Sequence, residues 1–100
     1  MPHELVIRPD AEVDLAEAYL WYENKAKRLG SEFLDSVDAT LTIIEQYPNL
    51  YPEVYEHVRR ALISRFPFAI FYLLDTDRIV ILAILHAHVD PAAWPLQEGT

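Results

Sequence analysis

Two stretches of this chain carry residue types whose spacing can do chemistry. Near the C-terminus, His86-Ala87-His88-Val89-Asp90 places two imidazoles and a carboxylate at alternate positions. On an extended strand these three project to one side, and imidazole with carboxylate suits zinc or iron. A catalytic metal site needs further ligands, however, and His3 and His57 stand in no pattern that brings them near. The expectation is therefore no metal and no cofactor, with the two histidines hydrogen-bonded or solvated at a strand end. The second stretch holds Arg59, Arg60 and Arg65, half of what a basic patch requires. Arg59 and Arg65 share strand parity and can lie on one face, although pairing with Glu53 or Glu56 is the simpler expectation for any one of them.

The remaining chemistry is excluded more firmly. Ser31, Ser36 and Ser64 sit in no nucleophile turn, and there is no glycine-rich phosphate loop. Zero cysteines exclude thiolate catalysis, disulfides and zinc ribbons. No catalytic residue is expected.

Net charge constrains partners. Sixteen acidic residues against eight basic give −8. A protein that grips phosphates usually carries the opposite sign, because neutralising them supplies most of the non-specific affinity. Direct DNA binding is not expected. With 100 residues and 52% apolar content the chain is one globular domain. No apolar run reaches membrane-spanning length, and Met1-Pro2-His3-Glu4 does not open a signal peptide. A cytoplasmic protein without a membrane partner is expected.

The elements that must position these residues follow from periodicity. His3 to Arg8 reads as a strand, stopped by Pro9, with Asp10 as the N-cap of a helix. Ala11, Leu15, Ala18, Tyr19, Tyr22 and Ala26 repeat at helical spacing. Leu29, Phe33, Val37, Leu41 and Ile44 define a second helix, from about Leu29 to Tyr47, which Pro48 ends. The short interval between them predicts an antiparallel helical hairpin. Asn49 to His57 reads as loop. Strands are expected over Val58 to Arg65, Phe68 to Leu74 and Arg78 to His88, with a tight turn at Asp75-Thr76-Asp77. The tail around Trp94 reads as irregular. The fold class is α+β: an antiparallel sheet made of one strand, then a helical hairpin, then three consecutive strands, with both helices on one face.

More apolar surface exists than this arrangement covers. Phe68, Ile70, Tyr72 and Leu74 oppose Ala69, Phe71 and Leu73 along one strand. In the next, Ile79, Ile81, Ala83 and Leu85 oppose Val80, Leu82 and Ile84. An antiparallel sheet with one wet face would alternate with polar residues. Either the tail, through Trp94 and Leu96, folds over the second face, or a partner does. Val13, Leu20 and Trp21 likewise fall off the main stripe of the first helix. A tryptophan so placed is either part of a wide core face or an interface anchor.

Beyond periodicity, three stretches stand out: Ala16-Glu17-Ala18-Tyr19-Leu20-Trp21-Tyr22-Glu23, Leu29-Gly30-Ser31-Glu32-Phe33-Leu34, and Tyr47-Pro48-Asn49-Leu50-Tyr51-Pro52. A longer one runs from Val58 through Arg59-Arg60 and Arg65-Phe66-Pro67-Phe68 to Tyr72, and continues from Ile79 to His86, Asp90-Pro91 and Trp94. On these residues, most strongly those from Val58 to Tyr72, the chain resembles the RelE/ParE superfamily of type II toxins. The resemblance implies the toxin of a toxin–antitoxin module, held by an antitoxin segment in a hetero-oligomer such as a heterotetramer. ParE-like members inhibit DNA gyrase, and RelE-like members cut messenger RNA on the ribosome. Where the ribonucleases carry arginines this chain aligns Ala69 and Val89, and no tyrosine follows Tyr72. The resemblance thus implies a gyrase-binding, non-enzymatic toxin; a ribosome-dependent endoribonuclease and a non-toxic antitoxin-binding module are the alternatives. ParE-like relatives commonly carry arginine between the histidine and Asp-Pro, whereas here no lysine or arginine follows Arg78. By position, the candidates for target contact are Arg59, Arg60, Arg65, His86, His88 and Asp90. Those for antitoxin contact are Val13, Leu20, Trp21, Phe71, Leu73 and Trp94. A −8 toxin should prefer an antitoxin segment rich in lysine or arginine.

Overall fold

The computed structural model describes residues 4–87. Its elements run β1 (Glu4–Ile7), α1 (Pro9–Lys25), α2 (Leu29–Gln46), β2 (Glu53–Tyr55), β3 (Val58–Leu62), β4 (Phe68–Asp75) and β5 (Arg78–His86). The strands form one sheet in the order β1-β5-β4-β3-β2. Three of its four pairings are antiparallel, but β1 runs parallel to β5, with Glu4 beside Arg78 and Ile7 beside Ile81. The sheet is therefore open and mostly antiparallel: after the helical hairpin the chain enters β2 running opposite to β1, reverses at each of β3, β4 and β5, and so brings β5 alongside β1 in the same direction.

Three local expectations change. The segment expected to be loop contains a short edge strand, β2, paired to β3 through Glu53 and Arg59. Strand β3 ends at Leu62, not Arg65, since Arg65 takes a left-handed backbone with φ of 75°. Helix α1 begins at Pro9 with Arg8 as its cap; Asp10 lies in the first turn, where its charge favours the helix dipole. Proline suits that first position because its missing N–H would have no helical partner there.

The fourth change matters most. Opposite Phe71 stands Ala83, yet opposite Tyr72 stands Ile81, so Leu82 is an extra residue in β5. Such a bulge reverses the side-chain alternation. Ile79, Ile81 and Ile84 consequently share one core with Ile70, Tyr72 and Ala61 and with the helical residues Ala11, Ala18, Tyr22, Phe33, Val37 and Ile44. Ala83 and Leu85 fall instead into a second cluster with Ala69, Phe71, Val54 and Val58. Strict alternation would have put Ala83 and Leu85 with Ile79. Among the described residues, helical side chains belong to the first cluster only.

Three side-chain contacts fix the helices. Glu23 accepts hydrogen bonds from the N–H groups of Arg28 and Gly30, both at 3.0 Å, and so satisfies the N-terminus of α2 from the end of α1. Ser36 donates its hydroxyl to the carbonyl of Ser64, tying α2 to the β3–β4 turn. Asp14 accepts the N–H of Ile84 at 3.1 Å. Strand β1 ends at Ile7, and beyond it the exposed edge of β5 would lack an acceptor; the Asp14 carboxylate supplies one. Burial raises the Asp14 pKa from its ordinary value, and the nearby Glu17 and Asp10 push it the same way, while the hydrogen bond from Ile84 opposes them.

Two stability predictions follow from these contacts. A Cβ on Gly30 would stand 2.8 Å from the Tyr19 ring and from the Tyr19 carbonyl oxygen, a backbone atom that cannot swing aside. Gly30→Ala should therefore cost about 1–3 kcal/mol, seen as a lower denaturation midpoint. For Asp14 the raised folded pKa means that the neutral acid is favoured on folding. Its contribution is full below the unfolded pKa and is lost as pH rises through the folded value. Asp14→Asn keeps an acceptor without the charge, so it should gain on the wild type as pH rises from 4 to 7. Asp14→Ala should lose about 1–3 kcal/mol at either pH by orphaning the Ile84 N–H. Urea denaturation of the three proteins at both pH values measures this.

Candidate functional site

The outward surface of α1 is the most distinctive feature of the described chain. The helix turns Ala11, Ala18 and Tyr22 into the core, which leaves Val13 and Leu20, seven residues apart, on the opposite side. Val13, Leu20 and Trp21 are 55%, 57% and 56% exposed. Trp21 is thus not a core residue. Its ring stands edge-on to Tyr22 with centroids 5.0 Å apart, and the Lys25 ammonium lies 4.6 Å from its centre. These contacts hold the indole in place while most of its surface faces water. Helical spacing sets Asp10 and Glu17 on the same side, so the apolar groups are interleaved with carboxylates.

The expected second apolar face is only partly open. Phe71 is fully buried in the second cluster, and so is Ala69; Leu73 is half-buried. Phe71 is therefore not an open contact residue. Trp94, His88 and Asp90 lie outside the described residues, as does the tail whose cover was expected.

The arginines are not gathered into a patch. Arg59 reaches along the sheet to donate to the carbonyls of Asn49, at 3.3 Å, and Tyr51, at 2.6 Å, and forms an ion pair with Glu53 at 3.4 Å. Beside it the hydroxyl of Tyr72, a fully buried side chain, donates to the Pro48 carbonyl at 2.8 Å. Burial pushes the Tyr72 pKa up to about 12, although the Arg59 charge works in the other direction. Together Arg59 and Tyr72 clasp the segment from Pro48 to Glu53. Arg65 cannot share a strand face with Arg59, since it lies beyond β3 and pairs with Glu32 of α2 at 2.8 Å. Arg60 stands opposite Phe71, on the other side of β3 from Arg59. Its guanidinium has no ion pair among the described residues. His86 is exposed at the end of β5, its ring 5.8 Å from that of Phe68. Among the described residues no group of three or more histidines, cysteines or carboxylates can hold a metal ion.

Three functional side chains escaped the sequence reading. Asp14 and Glu23 look like ordinary solvated helix carboxylates, and only their spatial partners, Ile84 and Gly30, show otherwise. Tyr72 reads as one apolar residue in a strand, with nothing to announce the bond to Pro48. The clasped segment also presents Leu50, and the residue just before it, Tyr47, caps α2; they are exposed by 63% and 61%, which no periodicity marks.

This geometry assembles no catalytic constellation from the described residues; it offers a rigid scaffold with apolar anchors on its outside. Among those residues no helix is long and apolar enough to cross a membrane. The comparisons agree on what such a scaffold is. Residues 5–91 match the family described as the ParE toxin of the type II toxin–antitoxin system parDE. Toxin ParE2 of Mycobacterium tuberculosis is 30% identical over 97 residues, which span 93% of this chain and 90% of the relative. Among solved structures, the chromosomal ParDE system of P. aeruginosa superposes with a TM-score of 0.76 at 20% identity, covering 84% of this chain and 95% of that one. A copper-bound mutant toxin from Helicobacter pylori gives 0.52 at 17% identity, over 84% and 93% of the respective chains; at these identities both likenesses concern the fold. With a family match over most of its length and a fold to agree with it, the chain belongs to the ParE toxin family of type II toxin–antitoxin systems.

Proposed function

We propose that this chain is a non-enzymatic toxin that acts by binding DNA gyrase and is neutralised when a cognate antitoxin segment docks on the outward face of α1. The observation that carries the neutralisation reading is the exposure of Val13, Leu20 and Trp21 on a helix whose other side is firmly packed. Aromatic anchors ringed by polar groups are where binding energy concentrates. The carboxylates of Asp10 and Glu17, and the overall charge of −8, favour an amphipathic segment with lysine or arginine on its flanks.

The non-enzymatic reading draws on Ala69. A fully buried methyl group in β4 can neither reach a phosphate nor stabilise charge developing on one. Arg59 and Arg65 are engaged with Glu53 and Glu32, which further separates the arginines that phosphoryl chemistry would need together. Gyrase binding is carried over from the ParE family, and Arg60, His86 and the clasped loop are the surfaces available to it.

Two experiments test the halves of this reading separately. Expressed alone in a bacterium, the chain should cause filamentation and DNA damage while translation continues, and the purified protein should inhibit gyrase supercoiling. Rapid translational arrest with cleaved messenger RNA would establish the ribonuclease alternative, and healthy growth with untouched gyrase would leave a non-toxic binding module. For the antitoxin, Trp21→Ala should weaken binding by about 2 kcal/mol, roughly thirtyfold, without lowering the toxin's own stability, because that side chain is mostly solvated. Calorimetric titration with the cognate antitoxin reads this directly; unchanged affinity would move the docking face off α1.

A further inference from the structure

Among the described residues no strand covers the outer edge of β1, and the hydrogen-bonding phase and charges of that edge are self-complementary. Glu4 N donates to Asp77 O and Arg8 N to Ile81 O, both at 3.1 Å. By alternation the peptide groups of Glu4, Val6 and Arg8 turn toward β5, and those of Leu5 and Ile7 turn outward. The strand is terminal in the sheet, so among the described residues no strand meets those outward groups. Edges of this kind are blunted by proline, a bulge, a charge or brevity; Glu4-Leu5-Val6-Ile7 has no proline and no bulge, and is protected only by its length of four residues and by the charge of Glu4. The segment carries opposite charges at its two ends. Glu4 is exposed, Arg8 is half-buried, and neither forms an ion pair among the described residues.

We propose that β1 pairs with β1 of a second copy of this chain, antiparallel about a two-fold axis at Val6, to join two sheets edge to edge. In that register Leu5 stands opposite Ile7 of the second copy, and both pairs consist of outward-facing peptide groups that exchange hydrogen bonds directly. Glu4 then stands opposite Arg8 of the second copy, twice, on the same side of the sheet as Val6. A slip by one residue brings inward-facing groups to the junction. A slip by two loses one of the two hydrogen-bonded pairs and both charge pairs. Parallel pairing sets Glu4 beside Glu4 and does not close. The antiparallel register centred on Val6 is the arrangement that satisfies all the outward groups and both charges.

The contact is a short strand between two copies that each carry −8, so association is weak and strengthens with added salt until the Glu4–Arg8 pairs are themselves screened. This inference stands apart from the gyrase and antitoxin reading and does not depend on it. The test is sedimentation velocity of the full chain across a wide concentration range at physiological ionic strength. The wild type should show a reversible monomer–dimer equilibrium. Glu4→Lys and Arg8→Glu should each weaken it by about tenfold or more, and the double variant, with both charges exchanged, should restore it. A wild type that stays monomeric throughout, a single variant that dimerises unchanged, or a double variant no better than the singles would each overturn the proposal. A monomeric wild type whose binding of an antitoxin is weakened by Glu4→Lys would overturn it too, by showing that the edge takes a strand from that partner instead. Should a variant fail to fold, hydrogen exchange of the wild type decides: the Leu5 and Ile7 amides should become protected as protein concentration rises, and protection independent of concentration refutes self-pairing.

Discussion

The extra residue in β5 at Leu82, and the Asp14 carboxylate that meets the strand just past it, govern the arrangement of the rest. Before the bulge β5 is held on both sides, by β1 and by β4. After it the β1 side is vacated, because the chain has turned at Pro9 into α1. Ile84 would then carry a half-buried N–H with no backbone acceptor, a cost of the order of a lost hydrogen bond. Asp14 removes that cost and in doing so ties the helical layer to the strand it crosses. The same bulge decides which side chains face the helices, for without the shift Ala83 and not Ile84 would complete the main core.

This division into two faces bears on chemistry as much as on stability. The helix side is filled with large residues, Phe33, Ile44, Tyr72 and Ile81, at close to zero exposure. The other side is smaller, built around Ala69, Ala83 and Phe71. A catalytic arginine at position 69 would stand on this second face, among apolar neighbours. Alanine there packs against Leu85 and commits the surface to cohesion. Arg59, which belongs to the helix side with Tyr72, is drawn into holding the Pro48–Glu53 segment by its carbonyls. Arg59 is in this way tied to a structural duty.

Much of this was legible in the sequence where one element speaks for itself. The two helices, the role of Pro48 as terminator and the alternation of β4 follow from spacing alone, and the displacement of Val13, Leu20 and Trp21 from the main stripe was visible there too, although whether Trp21 is core or exposed was not. What could not be read was set by pairs distant in the chain. Parallel β1 depends on the register with residues more than seventy positions away. The bulge depends on a mismatch between β4 and β5 that neither strand shows by itself. Arg65 looks like a strand residue until its left-handed backbone is seen, and β2 is too short and too close to Pro52 to carry a periodic signal. The candidate site divides in the same way: the apolar anchors were visible, but the arginines were not separable until their carboxylate and carbonyl partners were in place.

Helix α1 finally explains why its sequence is only weakly amphipathic. An ordinary surface helix has one apolar stripe and a polar remainder. This one has three separate obligations around its circumference. Ala11, Ala18 and Tyr22 serve the core. Asp14 serves β5. Val13, Leu20 and Trp21 stand outside both core clusters of the described residues, with Trp21 held edge-on to Tyr22, yet remain large and apolar at the cost of solubility, which Asp10, Glu12 and Glu17 offset with charge. The folded core does not need the third group, and solvent alone would select polar residues in its place. A partner that covers those side chains gives that choice a physical reason, and the carboxylates beside them set the sign of the charge that partner should bring.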